Sequence, residues 1–306
     1  MKNSPLILDI KGNSLDDGPG IRSVVFFKGC PLDCAWCHNP ESKKRTTEIS
    51  FDKGMCIGCK SCIDICQSGA ISFDNQYFID REKCSLCFSC TDACPSGALS
   101  KVGTFMEVDN IAERIIKDKP FFDTSGGGVT LSGGEPTIDI SFTSELMKKL
   151  KSEGIKILVE TCGFFSIDKF MDLIYPHADM IYFDIKIMNC SDHKKYCGVP
   201  NDLILQNFIR LHDEYRNGGI RIIPRTPLVP GITDTEENIK AIADFYTEHG
   251  VKQADLLSYN PLWHDKNAMI GTDNPYSSDK KMKEWISREN EDSCRKIFLN
   301  AGIEFP

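Results

Sequence analysis

Eleven of the fifteen cysteines lie between Cys30 and Cys94, in runs of three, four and four, and this crowding limits the possible folds more than any other feature. The first run, Cys30, Cys34 and Cys37, has the spacing C-x3-C-x2-C and continues into His38-Asn39-Pro40. Three thiolates from one short loop suit a single cluster, whereas a cubane iron–sulfur cluster takes four cysteines. A missing fourth ligand leaves one iron open to substrate, the feature that separates catalytic from closed structural metal sites. Residues 23–28, Ser-Val-Val-Phe-Phe-Lys, read as a buried strand ending at Gly29, so the loop is expected at a strand's C-terminal end.

The other two runs, Cys56, Cys59, Cys62, Cys66 and Cys84, Cys87, Cys90, Cys94, both follow C-x2-C-x2-C-x3-C, the bacterial ferredoxin spacing. They form an internal repeat of period 28, since Cys-Gln-Ser-Gly-Ala-Ile-Ser at 66–72 is echoed by Cys-Pro-Ser-Gly-Ala-Leu-Ser at 94–100. In two-cluster modules the fourth cysteine of each run crosses over. One cluster is therefore expected on Cys56, Cys59, Cys62 and Cys94, and the other on Cys84, Cys87, Cys90 and Cys66.

Composition narrows the setting. At 306 residues and 41% hydrophobic content the chain suits one large α/β domain with a small one, or two medium domains. Met1–Asp9 lacks a secretory core and no run reaches transmembrane length, which predicts a soluble, cytoplasmic protein without a membrane role. In a reducing compartment so many cysteines argue for metal ligation over disulfides. A formal charge of −8 opposes non-specific nucleic-acid binding.

Beyond about Gly103 apolar runs alternate with amphipathic segments. Strands are predicted at 128–132, 155–160, 180–184, 220–225 and 254–259, and helices near 108–117, 141–153, 166–174, 202–216, 235–249 and 280–301. With the strand at 23–28 this makes six βα units, which suit an open, partial (β/α)6 barrel of parallel strands working at their C-terminal ends. The expected organisation is a barrel from 1–47 and 105–306, interrupted by a ferredoxin-like insert at 48–104 that binds two [4Fe–4S] clusters.

Polar residues collect at the predicted strand ends. Gly133 and Gly134 would let backbone approach a ligand, and Glu135 would offer a carboxylate to an ammonium. Glu160, Asp184, Lys186 and the carboxylate-matching fork of Arg225 would converge on the same mouth. Any one of these alone is most simply a solvated strand end, and the convergence carries the weight. Cys162, Cys190, Cys197 and Cys294 lack ligand spacing and read as small buried apolar residues. His38 reads as a turn or shielding residue, and Asp279–Asp292 as a solvated helix face.

Asp17-Gly-Pro-Gly-Ile-Arg22, the triple-cysteine loop closing in Cys37-His-Asn-Pro40, and Ser125-Gly-Gly-Gly-Val-Thr-Leu-Ser-Gly-Gly-Glu-Pro136 together resemble the glycyl radical enzyme activating enzymes of the radical S-adenosylmethionine superfamily. The resemblance runs over nearly the whole chain and is to the longer type that carries a two-cluster insert. It implies that Cys30, Cys34 and Cys37 bind a third [4Fe–4S] cluster whose open iron is chelated by S-adenosylmethionine. Gly133, Gly134 and Glu135 would hold the amino group, and Lys186 and Arg225 would contact the methionine or its carboxylate. Glu160 and Asp184 would hold a monovalent cation beside it. In the family Glu160 is often Asp, and the short activases have a histidine where this chain has Asn260.

The reaction so implied is reductive cleavage of S-adenosylmethionine to a 5′-deoxyadenosyl radical, which takes hydrogen from a backbone glycine of a partner glycyl radical enzyme. Cys30, Cys34, Cys37 and Lys186 form the catalytic set, and the segment around Asp17 would face the partner's glycine loop. An external low-potential donor such as flavodoxin or ferredoxin would supply the electron, with the insert as a relay. Three other readings stay open. They are a radical S-adenosylmethionine enzyme acting on a peptide or small molecule, an electron carrier, and zinc ribbons. A carrier leaves the triple loop and the βα repeats unexplained, and the ferredoxin spacing disfavours zinc.

Overall fold

A computed structural model describes residues 5–306; residues 1–4, with which the N-terminal signal reading and the first domain segment begin, lie outside the described residues. Its main sheet has eight strands. In chain order the strands of the molecule are β1 (Leu6–Ser14), β2 (Arg22–Lys28), β3 (Glu48–Phe51), β4 (Leu99–Val102), β5 (Thr104–Phe105), β6 (Gly128–Gly133), β7 (Ile157–Thr161), β8 (Met180–Asp184), β9 (Arg221–Leu228) and β10 (Asp255–Ser258). The main sheet runs β10-β9-β8-β7-β6-β2-β1-β5. Every pairing from β2 to β10 in that order is parallel. Antiparallel β1 and β5 extend the β2 edge and were absent from the sequence-based expectation.

The two faces of the parallel strands differ in chemistry because strand side chains alternate with period two. Val25, Phe27, Val129, Leu131, Ile157, Val159, Ile181, Phe183, Ile222 and Leu256 point toward the helices and form the main core. Thr130, Ser132, Glu160, Asp184 and Arg225 occupy the alternate positions and point to the opposite face. The loop leaving β2 and the end of β10, with four strands between the two, line one cavity. The sheet therefore curls around that face.

Helices Val108–Ile116, Ile140–Ser152, Ile167–Leu173, Asp202–Arg216 and Glu236–Glu248 lie where the periodicity placed them. Lys119–Ser125, Cys190–Cys197 and Trp263–Ile270 are additional. The predicted helix at 280–301 is shorter, Arg288–Asn300, because the Ser287 hydroxyl accepts from the Asn290 N–H and caps it there. The preceding residues are irregular, and Met282 is fully buried. Apart from Met282, Ile286 and Glu291 the residues of 279–292 are exposed, as a solvated face should be, but only 288–292 of them are α-helical. Among the described residues no helix is long and apolar enough to cross a membrane.

The cysteine-rich stretch is bounded by β3 and β4, which pair antiparallel from Glu48 with Val102 to Phe51 with Leu99. It has a small core of its own, with Ile49, Ile71, Phe78, Ile79 and Leu99 around Cys62 and Cys90. Lys28, fully buried at the end of β2, joins it to the large sheet. Its ammonium donates to the Glu48 carboxylate at 2.7 Å and to the Glu41 carbonyl at 2.5 Å.

Candidate functional site

A cleft of about 350 Å³ opens at the C-terminal ends of the parallel strands. Its wall includes Cys30, Cys34 and Cys37, the Gly133–Gly134 turn, and Glu160, Asp184, Lys186 and Arg225. Five segments distant in sequence thus meet as expected for strand ends. Trp36, His38, Cys162, Tyr259 and Asn260 also line the cleft.

The cysteine loop is fastened from several sides. Asp33 and Ala35 donate their N–H groups to the carbonyls of Cys197 and Tyr196, both at 2.8 Å, at the C-terminal end of helix Cys190–Cys197. Asn274 donates its amide to the Ala35 carbonyl at 2.7 Å. Lys266 donates to the His38 carbonyl at 2.9 Å and to the Asn39 side chain at 2.8 Å. These external anchors carry no sequence motif, which is why they could not be read beforehand.

The thiols fit a shared positive cluster. Burial, with Cys34 and Cys30 close by, pushes the Cys37 thiol up to about 12. A hydrogen bond with Cys197 lowers the Cys34 thiol instead, and a cluster that supplies positive charge is what a buried thiolate at Cys37 requires. Cys162 and Cys197 are buried beside the loop, as small apolar residues should be, and Cys294 is also buried. Cys190 is instead exposed at the start of its helix, contrary to expectation.

Gly133 and Gly134 are demanded by the neighbouring strand. A side chain at Gly133 (φ +98°) would come within 2.5 Å of the Phe27 nitrogen, and one at Gly134 within 2.3 Å of the Gly29 carbonyl. Backbone bonds of 2.8 Å from Gly134 to Phe27 and from Glu135 to Gly29 close the seam. Glu135 does not line the cleft. Its fully buried carboxylate accepts from Thr137, from the Thr161 hydroxyl at 3.0 Å and from the Cys162 N–H at 2.8 Å. These donors engage both carboxylate oxygens, so Glu135 holds the loop in this structure.

Four charges face one another deeper in the cleft. Arg225 reaches Glu160 at 2.7 Å and Asp184 at 3.1 Å, and Lys186 reaches the other Asp184 oxygen at 2.8 Å. Burial would raise Asp184, but Lys186 and Arg225 outweigh it and hold its carboxyl below the usual range. Burial likewise opposes the charge on Lys186 and Arg225, and the facing carboxylates reverse that and raise both. Two negative and two positive side chains balance. The pair expected to hold a monovalent cation is therefore already neutralised by side chains.

Asp17–Arg22 lies at the other end of β2, about 20 Å along the strand from the cysteine loop. It folds onto the same curled face. Arg22 donates to the Thr130 hydroxyl at 2.6 Å and to the Val129 carbonyl at 2.5 Å, and Thr130 donates to the Asp17 carbonyl at 2.7 Å. Gly127 is required there because a side chain would strike the Ile21 carbonyl at 1.9 Å.

The two ferredoxin-type runs surround separate small voids. Cys56, Cys59, Cys62 and Cys94 line one, and Cys66, Cys84, Cys87 and Cys90 line the other. Among the described residues no three His, Cys, Asp or Glu side chains converge tightly enough for a single metal ion. Four thiols spread around a void suit a multi-atom cluster better than zinc, whose four ligands sit at about 2 Å from one ion.

Comparison with known proteins agrees with this geometry. The family model described as Radical SAM superfamily matches residues 81–246, a 4Fe-4S dicluster domain matches 55–98 and a 4Fe-4S single cluster domain matches 16–68. The chain is 39% identical over 280 residues to the isethionate sulfite-lyase activating enzyme of Nitratidesulfovibrio vulgaris, covering 90% of each chain. It is 39% identical to the trans-4-hydroxy-L-proline dehydratase activating enzyme of Clostridioides difficile, covering 86% of this chain and 87% of that one. It is 32% identical to the choline trimethylamine-lyase activating enzyme of Oleidesulfovibrio alaskensis, covering 99% of both.

Proposed function

The chain belongs to the glycyl radical enzyme activating enzymes of the radical S-adenosylmethionine superfamily, and from that membership we propose that its cleft installs a backbone glycyl radical on a partner enzyme. The observation that carries the reading is the meeting of Cys30, Cys34 and Cys37 with Gly133, Lys186 and Arg225 around one cavity at the strand ends. When bound, an open-iron [4Fe–4S] cluster and S-adenosylmethionine supply the electron, the carbon–sulfur cleavage and the 5′-deoxyadenosyl radical.

The residues of the chain bind, orient and shield. Cys30, Cys34 and Cys37 hold the cluster, and the Gly133–Gly134 backbone receives the amino group on a loop fixed by Glu135. Lys186 and Arg225, held cationic by Asp184 and Glu160, present fixed positive charge to the methionine carboxylate. Trp36 and Tyr259 wall the cleft and help to keep water from a reactive intermediate. A monovalent cation is left out of the proposal because its carboxylates are already paired.

The architecture we propose is a partial (β/α)6 barrel from 1–47 and 105–306 with an insert at 48–104 that carries two further [4Fe–4S] clusters. The crossed thiol sets around two voids support that insert. It would relay electrons from a donor such as flavodoxin or ferredoxin. The segment around Asp17 shares the curled face with the cleft, which supports a role in receiving the partner's glycine loop. The relatives named above act with different partners, so the partner's substrate is not assigned.

The test is anaerobic. Cluster-loaded, reduced protein should form 5′-deoxyadenosine from S-adenosylmethionine and a Cys34→Ala variant should not. No product from a loaded, reduced wild-type sample would sink the reading.

A further inference from the structure

We propose that Lys266 is a positioning residue of the cysteine loop, holding the His38–Asn39 turn from outside the cleft and setting the local charge beside Cys37. The inference rests on the reading that Cys30, Cys34 and Cys37 carry a cluster. Lys266 belongs to helix Trp263–Ile270, which reading of the sequence did not anticipate. Its ammonium touches two acceptors on the loop, the His38 carbonyl at 2.9 Å and the Asn39 side-chain oxygen at 2.8 Å, with Glu41 at 3.6 Å. Both acceptors directly follow Cys37. The ammonium therefore constrains the outgoing backbone of the third ligand and brings a positive charge, partly offset by Glu41, to the turn just beyond it, without lining the cleft itself.

The helix that carries this charge is braced on the cysteine-rich unit. Arg81 donates to the Met269 carbonyl at 3.4 Å with one nitrogen and to the Ile49 carbonyl of β3 at 2.5 Å with another. Tyr77 and Gln76 of the same unit both donate to Asp273, just past the helix. One short helix is thus fixed to the unit at its C-terminal end and to the cysteine loop through Lys266. Fixed charge near a cluster shifts its potential, and a nearby cation favours the more negative, reduced state. Held at this distance, Lys266 makes the catalytic cluster easier to reduce and keeps its third ligand in place.

The experiment compares wild type, Lys266→Met and Lys266→Arg as cluster-loaded full-length proteins under anaerobic conditions. Two readouts are independent of turnover. One is the midpoint potential of the electron paramagnetic resonance component that changes on adding S-adenosylmethionine, which separates this cluster from the other two. The other is peptide-resolved hydrogen exchange over residues 37–43. Lys266→Met should move the potential to more negative values and speed exchange in that peptide by roughly tenfold, the loss expected for a charge-assisted hydrogen bond. Lys266→Arg should keep the potential near that of the wild type. A Lys266→Met protein with wild-type potential and exchange overturns the proposal, and so does an arginine variant shifted as far as the methionine one. Absence of any S-adenosylmethionine-responsive component in the wild type would instead overturn the underlying reading of the cleft.

Discussion

The Arg225 guanidinium on β9 lies 2.7 Å from the Glu160 carboxylate on β7, reaching past the intervening strand β8. Its second amino group meets Asp184 on that strand at 3.1 Å. The fork joins three neighbouring strands at the depth where polar side chains replace the apolar core. Only a planar group with two divergent donors can serve both carboxylates at once.

Arg225→Lys should therefore weaken S-adenosylmethionine binding by about tenfold or more, since one ammonium cannot replace both contacts. Arg225→Met should in addition destabilise the fold by about 3–5 kcal/mol, the cost of leaving a buried charge unpaired. The added variant Glu160→Gln should recover part of that loss, because the two residues act together. Isothermal titration and thermal unfolding of loaded protein check both effects. A lysine variant with unchanged affinity would remove Arg225 from the ligand-binding set.

Charge balance among Glu160, Asp184, Lys186 and Arg225 leaves no net negative charge for an added cation. Replacing potassium with choline at constant ionic strength should change the dissociation constant of S-adenosylmethionine by less than about twofold, the spread within which screening is held fixed. A marked rise without potassium would show that a cation displaces Arg225 or Lys186 in the complex.

The same four groups set the pH response. Asp184 has its pKa lowered in the fold, so the stability it contributes is complete above the unfolded carboxylate value and is lost only as pH falls through its lower folded value. Lys186 and Arg225 are raised, so their contribution is fully present below their unfolded values and is lost only at more alkaline pH. None of these groups titrates between about pH 6 and about pH 8.5, so a step in S-adenosylmethionine binding within that window belongs to the ligand's own α-amino group and should persist in Asp184→Asn. A titration step in that window that disappears in Asp184→Asn would contradict the charge assignment.

What could be read from the sequence follows the physics of each feature. Cysteine spacing is local and covalently fixed, so the triple loop and the two quartets were visible before folding, including the crossing of Cys66 and Cys94. Period-two and period-3.6 patterns placed the parallel strands and the longer helices. Strand β1 and helix Trp263–Ile270 were missed because their patterns are weak, and the start of the last helix was missed because one cap, Ser287, decides it. The burial of Glu135 was not legible, because a Gly-Gly-Glu turn does not fix where its carboxylate packs. Lys266 and Asn274 act on the cysteine loop across more than 200 residues, a contact that only the tertiary fold creates.

The crossed cysteine sets make a pairwise prediction. Cys66→Ala combined with Cys90→Ala should remove one cluster, since both thiols line the same void. Cys66→Ala combined with Cys62→Ala should remove two, since Cys62 lines the other. Iron and sulfide content of reconstituted proteins decides the matter. Equal losses in the two double variants would disprove the crossing.

Lys28 offers a last test, of how the cysteine-rich unit is seated. Its side chain is fully buried, and burial lowers its pKa although Glu48 at 2.7 Å opposes the shift. The charged form is thus held against a desolvation cost by its partners. Lys28→Met should lower stability by about 3 kcal/mol, the low end for a broken buried pair. The loss is limited because Lys44 still reaches Glu48 at 2.9 Å. A double variant, Lys28→Met with Glu48→Leu, replaces the pair by apolar groups and should regain most of that stability. Chemical unfolding of loaded protein measures the difference, and proteolysis at residues 43–47 reports whether the unit has loosened. If the double variant is as unstable as the single one, then packing around Lys28, and not its charge, seats the unit.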